Sequence, residues 1–486
     1  MKDESLVSVV RDVLLDGYPE APFHPPTLFP ELGHICLREQ ATDPGNRVYS
    51  AVRAALARLD LDLERRDTSN WNPLNGLAAR GSHVVLKPNL VYHRHPLGED
   101  GVAAMITHAS VIRPLIDYVL LATDGDCRIT ICDVPLQTAD WQALIRSSGL
   151  DELVSFYSAH GIDIDLLDLR YEISKKNRSG AIVHRDFQQR DPRGYATVDL
   201  GRRSHLFEIR EHAARLEITD YGPGTVTRHH HDEVNEYLIA KTMLDADLFI
   251  NVPKLKTHRK AGITVCLKNL VGINGDKSWI AHHRRGIDEY PVLRVGEWLR
   301  WKIGTFLKNN APPWVTGAAY NAYRYVFLGG RTVKEHTLRT GGPLMEGSWH
   351  GNDTVWRTIL DLNNIVFYAD KQGALHSDRQ RRYLAVVDGV VGMDREGPVA
   401  GTPKNAGLIA AGLHPVAVDA VVCGLMGFDF EKVPSIRNGF EDDFFGLTPF
   451  DPKQLRTAGV HESVDLAFAP PSGWKDFLER SQERGR

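Results

Sequence analysis

Two short apolar runs, each stopped by a proline, constrain this chain most: His83-Val84-Val85-Leu86-Lys87 before Pro88, and Asp247-Leu248-Phe249-Ile250-Asn251-Val252 before Pro253. Proline cannot donate to a sheet ladder, so each run reads as a buried strand ending in a loop. Beyond the first, Val111, Leu115, Tyr118, Val119 and Ala122 recur at helical spacing behind a cap at Thr107 or Ser110, and Arg128–Cys132 supplies a second strand. Strand–helix–strand units of this kind cross over right-handed and gather ligands beyond the carboxyl ends of their strands. Those ends fall here at Lys87-Pro88-Asn89 and Asp133-Val134-Pro135. Further on, the pattern predicts helices near Val234–Met243, over Gly262–Val271, and along Val355, Ile359, Leu362 and Val366. It also predicts a strand Leu384–Val387 ending at Asp388-Gly389, and a helix opened by Pro415 that runs through Met426. The fold class expected is α/β and two-lobed, with mixed or mostly parallel sheets flanked by helices.

A chain of 486 residues, 42% hydrophobic and 25% charged, can bury an ordinary core. Composition shifts divide it into an N-terminal extension over 1–80, an α/β lobe over 81–291 with a polar insertion near 168–232, an aromatic-rich helical insertion over 292–345, a C-terminal α/β part over 346–470 and a polar tail over 471–486. The extension is rich in proline and polar residues, carries one amphipathic stretch near Val48–Leu61, and promises little functional content. The insertion gathers Trp298, Trp301, Phe306, Trp314, Tyr320, Tyr323, Tyr325 and Phe327 among basic residues, which suits packed helices, a lid, a contact in a homo-oligomer or a membrane-surface helix.

Lys and Arg number 58 against 62 Asp and Glu, a formal charge of −4, so no global attraction to nucleic acid or anionic membrane is built in. Basic residues are confined to short loops and no zinc-finger or RNA-binding aromatic motif is present, so no nucleic-acid partner is expected. Five cysteines, Cys36, Cys127, Cys132, Cys266 and Cys423, are widely spaced without a CxxC pair and read as reduced thiols. Residues Met1 to Ser5 lack a signal pattern, and nowhere do roughly eighteen apolar residues run uninterrupted, so no transmembrane segment and a cytoplasmic location are expected.

The densest chemical signal is Asn251-Val252-Pro253-Lys254-Leu255-Lys256-Thr257-His258-Arg259-Lys260-Ala261-Gly262, followed by Cys266-Leu267-Lys268-Asn269 and Gly272-Ile273-Asn274-Gly275-Asp276-Lys277. A strand end delivers cations into a loop that opens a helix, and helix N-termini carry free N–H groups and positive potential, so the segment suits a phosphate or carboxylate. His258 is the candidate acid/base, with His282-His283 a few residues beyond. Lys87, Asn89 and Asp133 would face the same crevice, with Thr107-His108 capping the intervening helix into it. Asp388, Asp394 and Glu396 lie within nine residues of a glycine-rich loop and could hold a divalent cation that bridges to an anion. The run His229-His230-His231 could also bind a metal, although alternate residues of an extended chain face opposite ways. Asp419, among apolar neighbours in the helix after Pro415, is either paired in the core or aimed into the site.

Taken in order, Val85-Leu86-Lys87-Pro88-Asn89-Leu90, Thr107-His108, Cys132-Asp133-Val134-Pro135, Pro253–Lys277, Gly351-Asn352-Asp353-Thr354, Asp388–Pro398 and His414–Phe428 resemble the domain of unknown function 362 family over residues 80–435. The resemblance implies kinship rather than a reaction. Some members carry a ferredoxin-like cysteine module that this chain lacks, so no iron–sulfur cluster is expected. A remoter similarity of pattern is to lactate racemase-like proteins, through Asp247–Val252, Lys256-Thr257-His258 and Ala261-Gly262. The functional expectation is an enzyme for a small anionic metabolite, a racemase, isomerase or group transferase. Lys256, His258 and Asp133 are its catalytic candidates, and Lys87, Asn89, Lys254, Lys268, Asn269, Asn274 and Lys277 its substrate contacts. The competing expectation is a binding or scaffold protein that uses the aromatic insertion as its contact surface.

Overall fold

A computed structural model describes residues 3–35, 41–176, 182–219, 221, 224–288, 346–460 and 464–479, with scattered positions between 315 and 339. Cys36 and the aromatic run of the insertion other than Tyr325 lie outside the described residues. The central sheet is built from β1 (Leu6–Arg11), β2 (Ser82–Pro88), β3 (Cys127–Asp133), β4 (Ile164–Asp168), β5 (Leu248–Val252), β6 (Lys254–His258), β7 (Gly262–Thr264), β8 (Arg382–Asp394), β9 (Thr402–Gly412) and β10 (Arg456–Ala458). They are ordered β10-β1-β9-β8-β5-β2-β3-β4, with β6 pairing to β8 beyond the end of β5 and to β7. The run β4-β3-β2-β5-β8 is parallel, whereas β9 lies antiparallel to both β8 and β1. The protein is therefore α/β, with a mixed, mostly parallel sheet flanked by helices. Strands from 81–291 and from 346–470 are neighbours in it, and Leu6–Arg11 of the N-terminal extension is one of its members.

Side-chain alternation explains how one sheet serves two cores. Leu248, Ile250 and Val252 of β5, with Val84, Leu86, Ile129 and Ile131, pack beneath α1 (Arg47–Ala57) and α2 (Ala109–Thr123). Phe249, Val85, Ala385 and Val387 face the other way, where α4 (Val355–Tyr368) and α5 (Pro415–Leu425) cover them together with the short α3 (Cys266–Asn269). After β2 the chain lays β3 and β4 on one side, then returns to place β5 on the other. The carboxyl ends of β2 and β5 thus flank a topological switch point, where connections leave in opposite directions, the place at which open α/β sheets bind their ligands.

Several expected elements differ. Val234–Ala240 is a strand antiparallel to Tyr195–Asp199, not a helix, because Tyr237 and Ile239 alternate into the core, and only Lys241–Leu244 is helical. The predicted helix over Gly262–Val271 is instead β7, then α3, then a 3-10 turn over Leu270–Ile273. The strand expected to stop at Asp388-Gly389 continues to Asp394, since β9 stays paired through Gly392↔Lys404 across a register shift between Gly389 and Val391. The basic loop after Pro253 is β6. Its polar residues are buried, which a reading that equates charge with loop cannot anticipate. No helix among the described residues is long and apolar enough to cross a membrane.

Candidate active site

Lys254, Lys256 and His258 alternate along β6 and project from one face, while Leu255 on the other enters the hydrophobic core. They meet Lys87 from the end of β2 and Asp133 from the end of β3. Lys87 Nζ lies 2.6 Å from Asp133 Oδ1 and also donates to Pro88 O and Asn269 Oδ1. Asp133 is held in turn by the backbone N–H groups of Leu90 and Val134. Three amides extend the network: Asn89 Nδ2 donates to Asn269 Oδ1 at 2.7 Å, Asn269 Nδ2 to Asn251 Oδ1 at 2.7 Å, and Asn251 Nδ2 to Tyr383 Oη at 2.8 Å. Lys256 Nζ, fully buried, donates to Asn89 Oδ1 and to Met105 O. Gly272 packs directly on this cluster. A Cβ there would lie 2.5 Å from Asp133 Oδ1 and 2.6 Å from Lys87 Nζ, so the position admits no side chain without displacing the pair.

A second buried pair closes the β8 side. Lys254 Nζ is 3.1 Å from Asp388 Oδ2, and Tyr18 Oη donates to Asp388 Oδ1 at 2.8 Å while accepting from Lys254. The His108 N–H also donates to Asp388, and the His108 ring stacks on Tyr18 with centroids 4.1 Å apart. His108 is the cap residue of α2, its Nδ1 accepting from the Ser110 N–H. Burial, reinforced by the Lys254 charge, pushes the His108 imidazole down to about 3, so it is neutral at physiological pH. Tyr18 comes from the stretch expected to carry little function. One tyrosine in a proline-rich segment gives no sequence signal of such a partnership.

On the opposite side the cations find no such partners. Lys268 on α3 and Lys277 are partly exposed, and neither side chain makes a hydrogen bond or ion pair among the described residues. Burial, together with the charges of Lys277, Lys260 and Lys87, pushes Lys268 down to about 7; burial, partly opposed by Asp133, brings Lys277 to about 8. His258 and His282 are driven well below the usual imidazole range, first by desolvation and then by Lys268 and its neighbours. His258 Nδ1 accepts from the backbone N–H groups of Lys260 and Ala261, which fixes the proton on Nε2. His258 is therefore a neutral imidazole whose free nitrogen is a donor. Asn274 Oδ1, Thr264 Oγ1 and His283 Nδ1 are buried acceptors or donors without a hydrogen-bond partner among the described residues.

Other expectations redistribute. The N-terminus of α3 does not await an external anion. Asp419 of α5 already accepts from the N–H groups of Cys266 and Leu267 at 2.7 and 3.0 Å, and burial raises its carboxyl to about 7. Asp388, Asp394 and Glu396 do not converge: Asp388 serves Lys254 and Tyr18, Asp394 accepts from Ala469 N, and Glu396 faces Arg259 at 2.9 Å and accepts from Ser472 N. The three histidines form no common site: His229, ending the short helix Val226–His229, stacks on Trp279, His230 bonds Trp279 O and His231 turns to Asp232. Among the described residues no group of three or more His, Cys, Asp or Glu could hold a metal ion. Among the described residues Cys127, Cys132, Cys266 and Cys423 form no disulfide.

A mixed, mostly parallel sheet flanked by helices, with a cluster of lysines at the carboxyl ends of its strands, defines the class of this molecule. The chain belongs to the family described as Domain of unknown function (DUF362), whose sequence model matches residues 84–191 and 203–424 and so takes in β2 through most of α5. Neither the curated proteins nor the solved structures contain a match, so the likeness to lactate racemase-like proteins rests on sequence pattern alone.

Proposed function

We propose that the crevice binds a small phosphate- or carboxylate-bearing metabolite, and that the protein is an enzyme whose acid–base chemistry, of racemase, isomerase or group-transfer type, runs between His258 and Lys268. The carrying observation is an imbalance: Lys87 and Lys254 each have a carboxylate partner, while Lys268 and Lys277 have none among the described residues. Burying uncompensated positive charge is costly, and a bound anion would relieve it. Lys277 and the ammonium form of Lys268 would hold the anionic group together. His258 Nε2–H would polarise an adjacent oxygen, a role for which a neutral imidazole is suited. Lys268, poised near neutrality, would carry the proton, since transfer is most effective when the donor's pKa lies near the working pH. Asp133 fits a positioning role, because both its oxygens are already occupied.

The test is a thermal-shift titration of the full chain with inorganic phosphate, wild type beside Lys268→Met. A ligand at a hundred times its dissociation constant stabilises the native state by about 2.7 kcal/mol. Wild type is expected to show that stabilisation and Lys268→Met to lose most of it while melting no lower when empty. An equal phosphate response in both proteins would overturn the placement.

A further inference from the structure

We infer that Lys268 is a covalent nucleophile, forming an imine with the carbonyl carbon of an anionic aldehyde or ketone. This deepens the anion reading above and rests on it: with the imine formed, Lys268 activates the neighbouring C–H bond in place of carrying the proton itself. A lysine that forms imines must be reachable, unengaged and surrounded by groups that favour its neutral form. Of the lysines gathered here, Lys277 shares the exposure and lack of a partner and is assigned above to the anionic group; the others separate from Lys268 on these criteria. Lys256 is fully buried with its Nζ committed to Asn89 and Met105 O, and Lys87 and Lys254 are tied to carboxylates. Lys268 is partly exposed and makes no hydrogen bond or ion pair among the described residues. The short helix that carries it is fixed at both ends, by Asp419 at Cys266 and Leu267 and by Asn269 in the amide network. Its nitrogen is thus positioned by backbone rather than by a partner of its own.

The surroundings supply what the step needs. Lys277, Lys260 and Lys87 place positive charge about Lys268, which disfavours its ammonium form and draws in the anionic part of a substrate. The Lys268 nitrogen attacks the carbonyl carbon and a C–N bond forms. The carbonyl oxygen, its developing charge met by the Nε2–H of His258, takes up the two protons of the amine and leaves as water. The imine nitrogen then takes one proton from solvent to become an iminium. No oxidant or reductant enters. An iminium next to a C–H bond acidifies that bond, which is the proton transfer a racemase or isomerase requires.

Borohydride trapping tests this directly, because hydride addition to the iminium carbon leaves a stable secondary amine. The full chain would be incubated with pyruvate or with glycolaldehyde phosphate, reduced, digested and mapped by mass spectrometry. The expected result is one adduct at Lys268, labelled on the order of tenfold or more above any other lysine, since an ordinary lysine is almost wholly protonated at neutral pH. The adduct should be suppressed by inorganic phosphate and absent in Lys268→Arg. Labels scattered over surface lysines, or undiminished labelling of Lys268→Arg, would overturn the inference. So would no adduct from either carbonyl in a protein that phosphate still stabilises, which would leave the anion site standing. If phosphate also fails to stabilise it, both readings fall.

Discussion

The two sides of the crevice use the same residue type to opposite ends. On the β2, β6 and β8 side, Lys87 and Lys254 each lie against a carboxylate that is itself held by other donors, and Lys256 is capped by an amide and a carbonyl. On the α3 side, Lys268 and Lys277 are just as crowded by charge but receive nothing from the described residues. A buried lysine with a partner is a fixture of the fold. A partly exposed lysine crowded by like charge and left without a partner is open to a counterion from elsewhere. The comparison shows why counting basic residues in a motif says little, and why asking which of them the protein itself neutralises says more.

Removing a carboxylate from the satisfied side should cost the most stability. Asp133→Ala strands Lys87, wholly buried, with Pro88 O and Asn269 as its remaining company. Breaking one half of a buried pair costs about 3–5 kcal/mol, so urea unfolding should show a loss of that size. Lys268→Met, which removes a charge nothing neutralises, should be neutral or slightly stabilising in the same assay. Were the order reversed, the division into structural and open lysines would be wrong.

Much of the satisfied side could be read from sequence, for a physical reason. Lys87, Asn89 and Asp133 sit at the ends of strands whose apolar runs are unmistakable, so strand-end logic alone brings them together. Lys254, Lys256 and His258 were legible as a cationic cluster but not as a strand, because burial of polar residues inverts the pattern that reveals strands. Asp419 was legible as a buried acid; that it fills the α3 N-terminus depends on a helix-to-helix contact no local pattern encodes. Tyr18 was illegible. Its partner Asp388 lies far along the chain, and the intervening geometry is set by the antiparallel docking of β1 on β9.

Tyr18→Phe keeps the ring that stacks on His108 and removes only the hydroxyl bonded to Asp388 and Lys254. Hydrogen bonds to charged groups are worth about 1.5–3 kcal/mol, so unfolding should report a loss within that range, smaller than that of Asp133→Ala. If the Lys254–Asp388 pair is complete without Tyr18, the loss will fall below it, and the N-terminal strand would then be packing rather than part of the site.

The smallest effect, per unit of pH, tests the open side without any ligand. Lys268 and Lys277 have native pKa values depressed to about 7 and about 8, so between those values and the ordinary lysine value the unfolded chain binds more protons than the native one. Stability from such a group is complete above the unfolded pKa and is lost as pH falls through the native one. The empty wild type should thus grow less stable as pH is lowered from about 10 toward 7, by at most about 1.4 kcal/mol per pH unit for each proton. The difference between wild type and Lys268→Met isolates the lysine from other titrating groups and should flatten below about pH 6. Saturating phosphate should turn the dependence around, since an anion holds the protons on: its stabilisation is greatest near pH 6–7 and shrinks above about 8. A wild-type curve parallel to that of Lys268→Met across the whole range would mean that Lys268 keeps an ordinary pKa, and the open side would then be no more than solvated surface.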